Sequence, residues 1–250
     1  MMTTTPAPAV RAEELTKQYG TGEAVVRPLQ RLSLQVPQAS YTAIMGPSGS
    51  GKSTLMHVLA GLDTPDAGTV TLGTTEGPVE LTGLSEKHLT RIRRRHIGFI
   101  FQSYNLVPAM TAKENILLPS SLGGGQVDRY FYDLVIERLG LTDRLHHRPF
   151  ELSGGQQQRV AVARALAAQP AVIFADEPTG NLDSRTGAEV LALLRAAVDE
   201  FDQTVVMVTH DVNAAAEADR TVLLADGQIL ETLEKPSAQM LAATMIGAQQ

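Results

Sequence analysis

Short runs of apolar, β-branched residues recur along the chain, at positions 42–45, 97–101, 171–175, 204–208 and 221–224. Between them lie stretches with helical spacing. Val190, Leu194, Ala197, Val198 and Phe201 recur three and four apart, as do Phe131, Leu134, Val135 and Leu139. Nearly uniform apolar strands alternating with such helices predict an α/β fold with a largely parallel sheet covered on both faces.

One region breaks this rhythm. From about Ser103 to Leu152 there are helical patterns and loops but no convincing strand, punctuated by Pro108, Pro119, Pro149 and the triplet Gly123-Gly124-Gly125. The triplet reads as a flexible turn before a helix starting near Asp128, and the whole region as a helical lobe inserted into the core.

Composition narrows the class. A chain of 250 residues accommodates one large α/β domain with an inserted lobe. No stretch approaches the ~18 uncharged apolar residues of a membrane span. Residues 1–9 lack the basic start and apolar run of a signal peptide and read as a short disordered tail. With no cysteine, neither a disulfide nor a thiolate metal site is expected. The 27 acidic residues outnumber the 21 basic ones, so no nucleic-acid partner is expected.

The sharpest chemical signal is Gly46-Pro47-Ser48-Gly49-Ser50-Gly51-Lys52-Ser53-Thr54, which follows the strand ending at Met45 and opens a helical run over 55–59. This is a phosphate-binding loop in its strand–loop–helix setting. Glycines let successive backbone N–H groups point inward around phosphate oxygens, and the helix N-terminus adds favourable partial charge. Lys52 is expected to reach the β- and γ-phosphates of a nucleotide, with the Ser53 hydroxyl on Mg²⁺.

A second signal is the buried strand over 171–175 running into Asp176-Glu177-Pro178. Asp176 suits Mg²⁺, usually through water, and Glu177, past the strand end, suits polarising an attacking water. Alone, the pair reads equally well as a polar strand end before a turn; with the phosphate loop upstream, phosphoryl chemistry is favoured.

The third is Leu152-Ser153-Gly154-Gly155-Gln156 ahead of a helix beginning Gln157-Gln158-Arg159. Taken alone it is a capped helix start, with exposed N–H groups and a hydroxyl. In order with the other two segments it resembles the signature sequence of ABC-type ATPases, and the resemblance spans roughly Val10 to Leu233. That resemblance implies a P-loop NTPase (RecA-like) core with a mainly parallel sheet, an N-terminal antiparallel β portion and an inserted α-helical lobe. It implies ATP and Mg²⁺ as ligands and hydrolysis of ATP. Tyr19 matches the aromatic that stacks on adenine, and Gln102 the glutamine touching Mg²⁺ and the attacking water. Asp183, in Asn181-Leu182-Asp183, falls in the loop that crosses the dimer interface. His210 matches the switch histidine at the γ-phosphate, and Ser153, Gly154, Gly155 and Gln156 would face the nucleotide of a partner chain. His57, His88, His96, His146 and His147 match no family position. The one departure is Ala39-Ser40, where the family usually has Gly-Glu.

The family layout places a tail at 1–9, the ATPase domain at 10–235 (core 10–102 and 159–235, lobe about 103–158) and a C-terminal tail at 236–250. Two nucleotide-binding chains, identical or paired, would meet head to tail and drive a separate transmembrane permease, so that the chain would be cytoplasmic and peripheral on the inner face of the membrane. The segment after Gln102, with Tyr104, Leu106, Val107, Pro108 and Met110, would receive the permease; the alternative is that these residues are ordinary lobe core. The basic run 91–96 reads as a solvated, charge-paired face, with anionic headgroups within reach. Segments 97–106 and 174–183 look most like the lipoprotein-release and macrolide-export branch, some of whose members transmit mechanical work or regulate cell-wall enzymes instead of carrying a solute. A non-transport ATPase acting on a membrane or cell-wall partner is the alternative.

Overall fold

The computed structural model describes residues 7–21, 24–123 and 127–247. Two sheets organise it. A four-stranded antiparallel sheet has the order β2-β1-β4-β5, from β1 (Val10–Tyr19), β2 (Val26–Val36), β4 (Ala67–Thr74) and β5 (Gly77–Glu80). A six-stranded sheet has the order β10-β9-β3-β8-β7-β6, from β3 (Tyr41–Met45), β6 (Ile97–Phe101), β7 (Val172–Asp176), β8 (Val205–Val208), β9 (Arg220–Ala225) and β10 (Gln228–Glu234). Only β10 runs antiparallel in it.

Alternation along the central strands feeds two cores. Tyr41, Ala43 and Met45 of β3 face the helical side, with Ile173, Ala175, Val205 and Met207. Ile44, Phe174, Val206, Val208 and Leu224 face the antiparallel sheet and helix α1 (Lys52–Leu59). Both faces are thus dry, which is why these strands read as unbroken apolar runs.

The region from 103 to 152 contains helices α3 (Ala112–Gly123) and α4 (Arg129–Arg138) and two short 3-10 turns. Asp128 caps α4 by accepting from Phe131 N–H. Gly123 ends α3, whereas Gly124 and Gly125 of the glycine triplet lie outside the described residues. Helix α5 (Gly154–Ala167) continues from this lobe into the core without a break, so the expected boundary at 158 falls inside one helix. Helix α2 (Glu86–His96) carries the basic run and leads straight into β6. On it Arg93 pairs with Glu86 and Arg95 with Glu76.

Helix α6 (Ser184–Phe201) precedes β8, and α7 (Val212–Ala216) follows it. Its stripe meets the stripe of α4 edge to face, the rings of Phe131 and Phe201 being 5.2 Å apart. At the ends, Ala9 N–H already bonds to the Val36 carbonyl. Helix α8 (Ala238–Gly247) lies beside α7 with Leu241 buried.

Candidate functional site

The carboxyl ends of β3, β8 and β7 are neighbours, and each strand leaves the sheet through a polar segment: the glycine loop, Thr209-His210 and Glu177-Pro178. Crevices at such strand ends are the usual ligand sites of open parallel sheets.

The loop itself is built for an anion. No side chain caps α1 and no acidic residue occupies its first turn, so its leading N–H groups point out unpaired. Gly51 has φ +101°, and a Cβ there would stand 2.0 Å from the Pro28 carbonyl oxygen, so strand β2 braces the loop from behind. The Ser50 hydroxyl is buried with no partner. Lys52 Nζ folds over the loop and donates to the Gly46 and Pro47 carbonyls, both at 2.9 Å. Burial pushes the Lys52 pKa below its ordinary value, with the charges of Glu177 and Asp176 pulling the other way.

Opposite stand the acidic groups. Burial raises the pKa of Asp176, and the neighbouring Glu177 adds to this, while His57 and Lys52 act against it. No hydrogen bond or ion pair engages its carboxylate among the described residues. His57, one turn beyond Ser53 on α1, therefore bears on the site although its position in the sequence gives no hint of it. Glu177 has φ +44°, a left-handed conformation rare for a side-chain-bearing residue, and its N–H bonds to the Val208 carbonyl. Its Oε1 lies 2.8 Å from His210 Nδ1, and its Oε2 accepts from Thr209 Oγ1 at 3.4 Å.

Gln102 follows β6 and is tied to Asn181 twice: its Nε2 donates to Asn181 Oδ1 at 3.3 Å, and Asn181 Nδ2 donates to the Gln102 carbonyl at 3.0 Å. Asp183 is engaged locally as the N-cap of α6, accepting from Arg185 N–H, Thr186 N–H and the Thr186 hydroxyl. Those bonds hold its pKa below the usual carboxylate range.

Ser153 and Gln156 form a reciprocal capping box at the start of α5. Gly155 packs so tightly on α6 that a Cβ would come 2.4 Å from the Thr186 methyl. No hydrogen bond or ion pair joins this helix start to the glycine loop among the described residues. Further along α5, buried Gln158 donates to the Pro178 carbonyl at 2.6 Å, just past Glu177. Arg164 donates to the carbonyls of Asn105 and Tyr104 at 2.6 and 2.9 Å, two consecutive left-handed residues. Neither residue stands out in the sequence, because each acts on a carbonyl far away along the chain.

Tyr19 ends β1, and its ring is partly exposed. Its hydroxyl donates to Asp63 Oδ2 at 2.5 Å, and Asp63 Oδ1 accepts from Lys17 Nζ at 2.8 Å. Asp63 also went unflagged in the sequence, since only the tertiary fold brings it to the end of β1.

A family model described as ABC transporter matches residues 29–180. An ABC transporter ATP-binding protein of Thermotoga maritima is 47% identical over 218 residues, covering 86% of this chain and 91% of that one. The macrolide export ATP-binding/permease protein MacB of Marinobacter nauticus is 43% identical over 239 residues, 94% of this chain but 36% of that longer protein. Among solved structures, the dimeric post-hydrolysis state of the cassette MJ0796 bound to ADP and Pi superposes with a TM-score of 0.79 at 39% identity, covering 91% of this chain and 99% of that one. MJ0796 is an ABC transporter ATP-binding protein of Methanocaldococcus jannaschii. With the glycine loop, the acidic strand end and the capped Ser153 helix in family order, the chain belongs to the ABC transporter family, as an ATP-binding and ATP-hydrolysing subunit.

Proposed function

We propose that two such nucleotide-binding chains close head to tail on ATP and drive a separate membrane permease from its inner, cytoplasmic face. The observation that carries this reading is the division of the site. The phosphate loop with Asp176, Glu177 and His210 sits at the strand ends, while Ser153–Gln156 form a helix start that no hydrogen bond or ion pair joins to that loop among the described residues. A second chain's helix start would complete each site.

In this reading Gly46–Thr54 cradle the phosphates, Lys52 neutralises them, and Tyr19 carries the adenine. Glu177 positions the attacking water, His210 orients Glu177, and Ser153 to Gln156 of the opposing chain, with Asp183 near the interface, close the far side. The donor set fits Mg²⁺: one hydroxyl (Ser53), one half-buried carboxylate that no ion pair engages among the described residues (Asp176) and one amide (Gln102), with phosphates filling the remaining positions. No cluster of three His, Cys, Asp or Glu exists among the described residues to hold a metal without a substrate. When bound, the ion would neutralise charge on the phosphate oxygens.

No helix among the described residues is long and apolar enough to cross a membrane. For the permease, the candidate seat is a cleft of about 290 Å³ at the outer edge of β6, where Phe99 and Phe101 stack and Leu62, Arg93, Asn105 and Arg164 complete the wall. Leu106, expected to face the permease, is half-buried and packs against the core on the helical side of the sheet.

Complementation tests the shared site. A Lys52→Ala chain and a Ser153→Arg chain should each be inactive, while their mixture regains up to about a quarter of normal hydrolysis, because half the dimers keep one intact composite site. No recovery would overturn head-to-tail sharing. Co-purification with a detergent-solubilised multi-span protein that stimulates the ATPase tests the permease; a chain that purifies alone from such membranes speaks for the non-transport alternative.

A further inference from the structure

The end of β1 is fastened to the loop that follows α1 by a set of bonds centred on one carboxylate. Asp63 accepts from the Tyr19 hydroxyl at 2.5 Å, from Lys17 Nζ at 2.8 Å and from Thr64 N–H at 2.7 Å. Lys17 Nζ also donates to the Thr64 carbonyl at 2.7 Å, and Gln18 N–H donates to Asp66 at 2.7 Å. This is no ordinary surface ion pair, because the Lys17 side chain is only 11% exposed and Asp63 has a donor on each oxygen.

The result is a ring with one face covered. Lys17 Nζ stands over the Tyr19 ring, 5.1 Å from its centroid. The hydroxyl is pinned by Asp63, and 44% of the residue remains exposed. The Thr54 side chain, at the end of the phosphate loop, is near enough to lower the phenol's pKa against the effect of burial, so the ring stands beside the phosphates' cradle. Burial works against the Asp63 charge, but the bonds from Lys17 and Tyr19 outweigh it and hold the carboxyl below its ordinary pKa. At neutral pH it is therefore an acceptor only, and the phenol must donate to it.

We infer that Asp63 is a positioning residue for nucleobase recognition: it fixes the Tyr19 ring, with Lys17 filling one face, so that the flat base stacks on the other. The inference rests on Tyr19 being the adenine platform. Its physical content is preorganisation, since a ring already held in place loses less freedom when the base arrives.

The test separates base from phosphate. Asp63→Ala should raise the dissociation constant for ATP by about 3- to 10-fold while leaving that for tripolyphosphate, which has no base, unchanged. In turnover the loss should appear in KM and not in kcat. Tyr19→Phe, which removes only the hydroxyl and keeps the ring, should give a similar shift, and the double variant should be no worse than either alone. Equal weakening of ATP and tripolyphosphate by Asp63→Ala would overturn the inference, because Asp63 would then support the phosphate loop. Unchanged ATP affinity in Asp63→Ala, beside a weakened Tyr19→Ala, would overturn it while leaving the platform intact. Unchanged affinity in Tyr19→Ala would remove the platform itself and the inference with it.

Discussion

His210 Nδ1 lies 2.8 Å from Glu177 Oε1, on a glutamate held at φ +44°. A carboxylate oxygen accepts, so in this contact Nδ1 is the donor. Thr209 holds the other carboxylate oxygen. Glu177 is thereby oriented before any water reaches it. Glu177→Gln should bind ATP, hydrolyse it at least about 100-fold more slowly and accumulate as a dimer in size-exclusion chromatography with ATP. His210→Ala should slow phosphate release by a similar factor with ATP binding retained. Turnover within threefold of the parent in either variant would remove that residue from its role.

Asp176 makes the active site a source of instability. Its folded-state pKa is raised, so the folded protein holds that proton more tightly than the unfolded chain, and the charged form costs stability. The cost is absent below the ordinary value of 3.8 and fully present above the raised pKa. Asp176→Asn should therefore melt higher at pH 7, by a small margin because water partly screens the half-exposed carboxylate, with the difference fading as pH falls toward 4. Equal melting at pH 7 would refute this.

Ala39 occupies a left-handed turn between β2 and β3, with φ +48°, and its N–H bonds to Thr204 Oγ1 at 3.0 Å. A side-chain-bearing residue is strained there, which gives the departure from the family's usual glycine a physical cost. Ala39→Gly should stabilise the chain by about 0.5–1 kcal/mol in urea unfolding, the relief of strain exceeding the added freedom of the unfolded chain. A destabilised variant would contradict this.

Gly155 leaves no room for a methyl group against Thr186. Gly155→Ala should destabilise the protein by about 1–3 kcal/mol. Adding Thr186→Ser, which deletes the colliding methyl but keeps the hydroxyl bonded to Asp183, should restore part of the loss. Thermal melts of the four chains check it, and strict additivity would show that the contact is not the cause.

The strands of the six-stranded sheet that are buried on both faces were readable because every buried position in them is apolar or small, as in Tyr41–Met45. The antiparallel strands were not readable one by one. β1 alternates, but bulges between Ala12 and Leu15, and again beyond it, shift its period, and Glu14 adopts φ +53° within it. The helices α4 and α6 showed through their stripes, and the start of α4 through Asp128, whereas the capping role of Asp183 emerged only in the structure. At the site, the motifs marked which residues gather at the strand ends. They did not show the partners those residues hold. The bonds Gln102–Asn181, Gln158–Pro178 and Tyr19–Asp63 join segments far apart in the chain, and no local pattern encodes them.

Helix α5 begins at the Ser153 cap and carries Arg164 near its other end, where the guanidinium grips the Tyr104 and Asn105 carbonyls beside the β6 cleft. These two points are separated by ~16 Å of unbroken helix at about 1.5 Å per residue. Such a rod behaves as a lever arm. Tilting it by about 5° at the nucleotide end would displace the gripped loop by roughly 1.4 Å, and with it the wall that Asn105 gives the cleft beside Phe99 and Phe101.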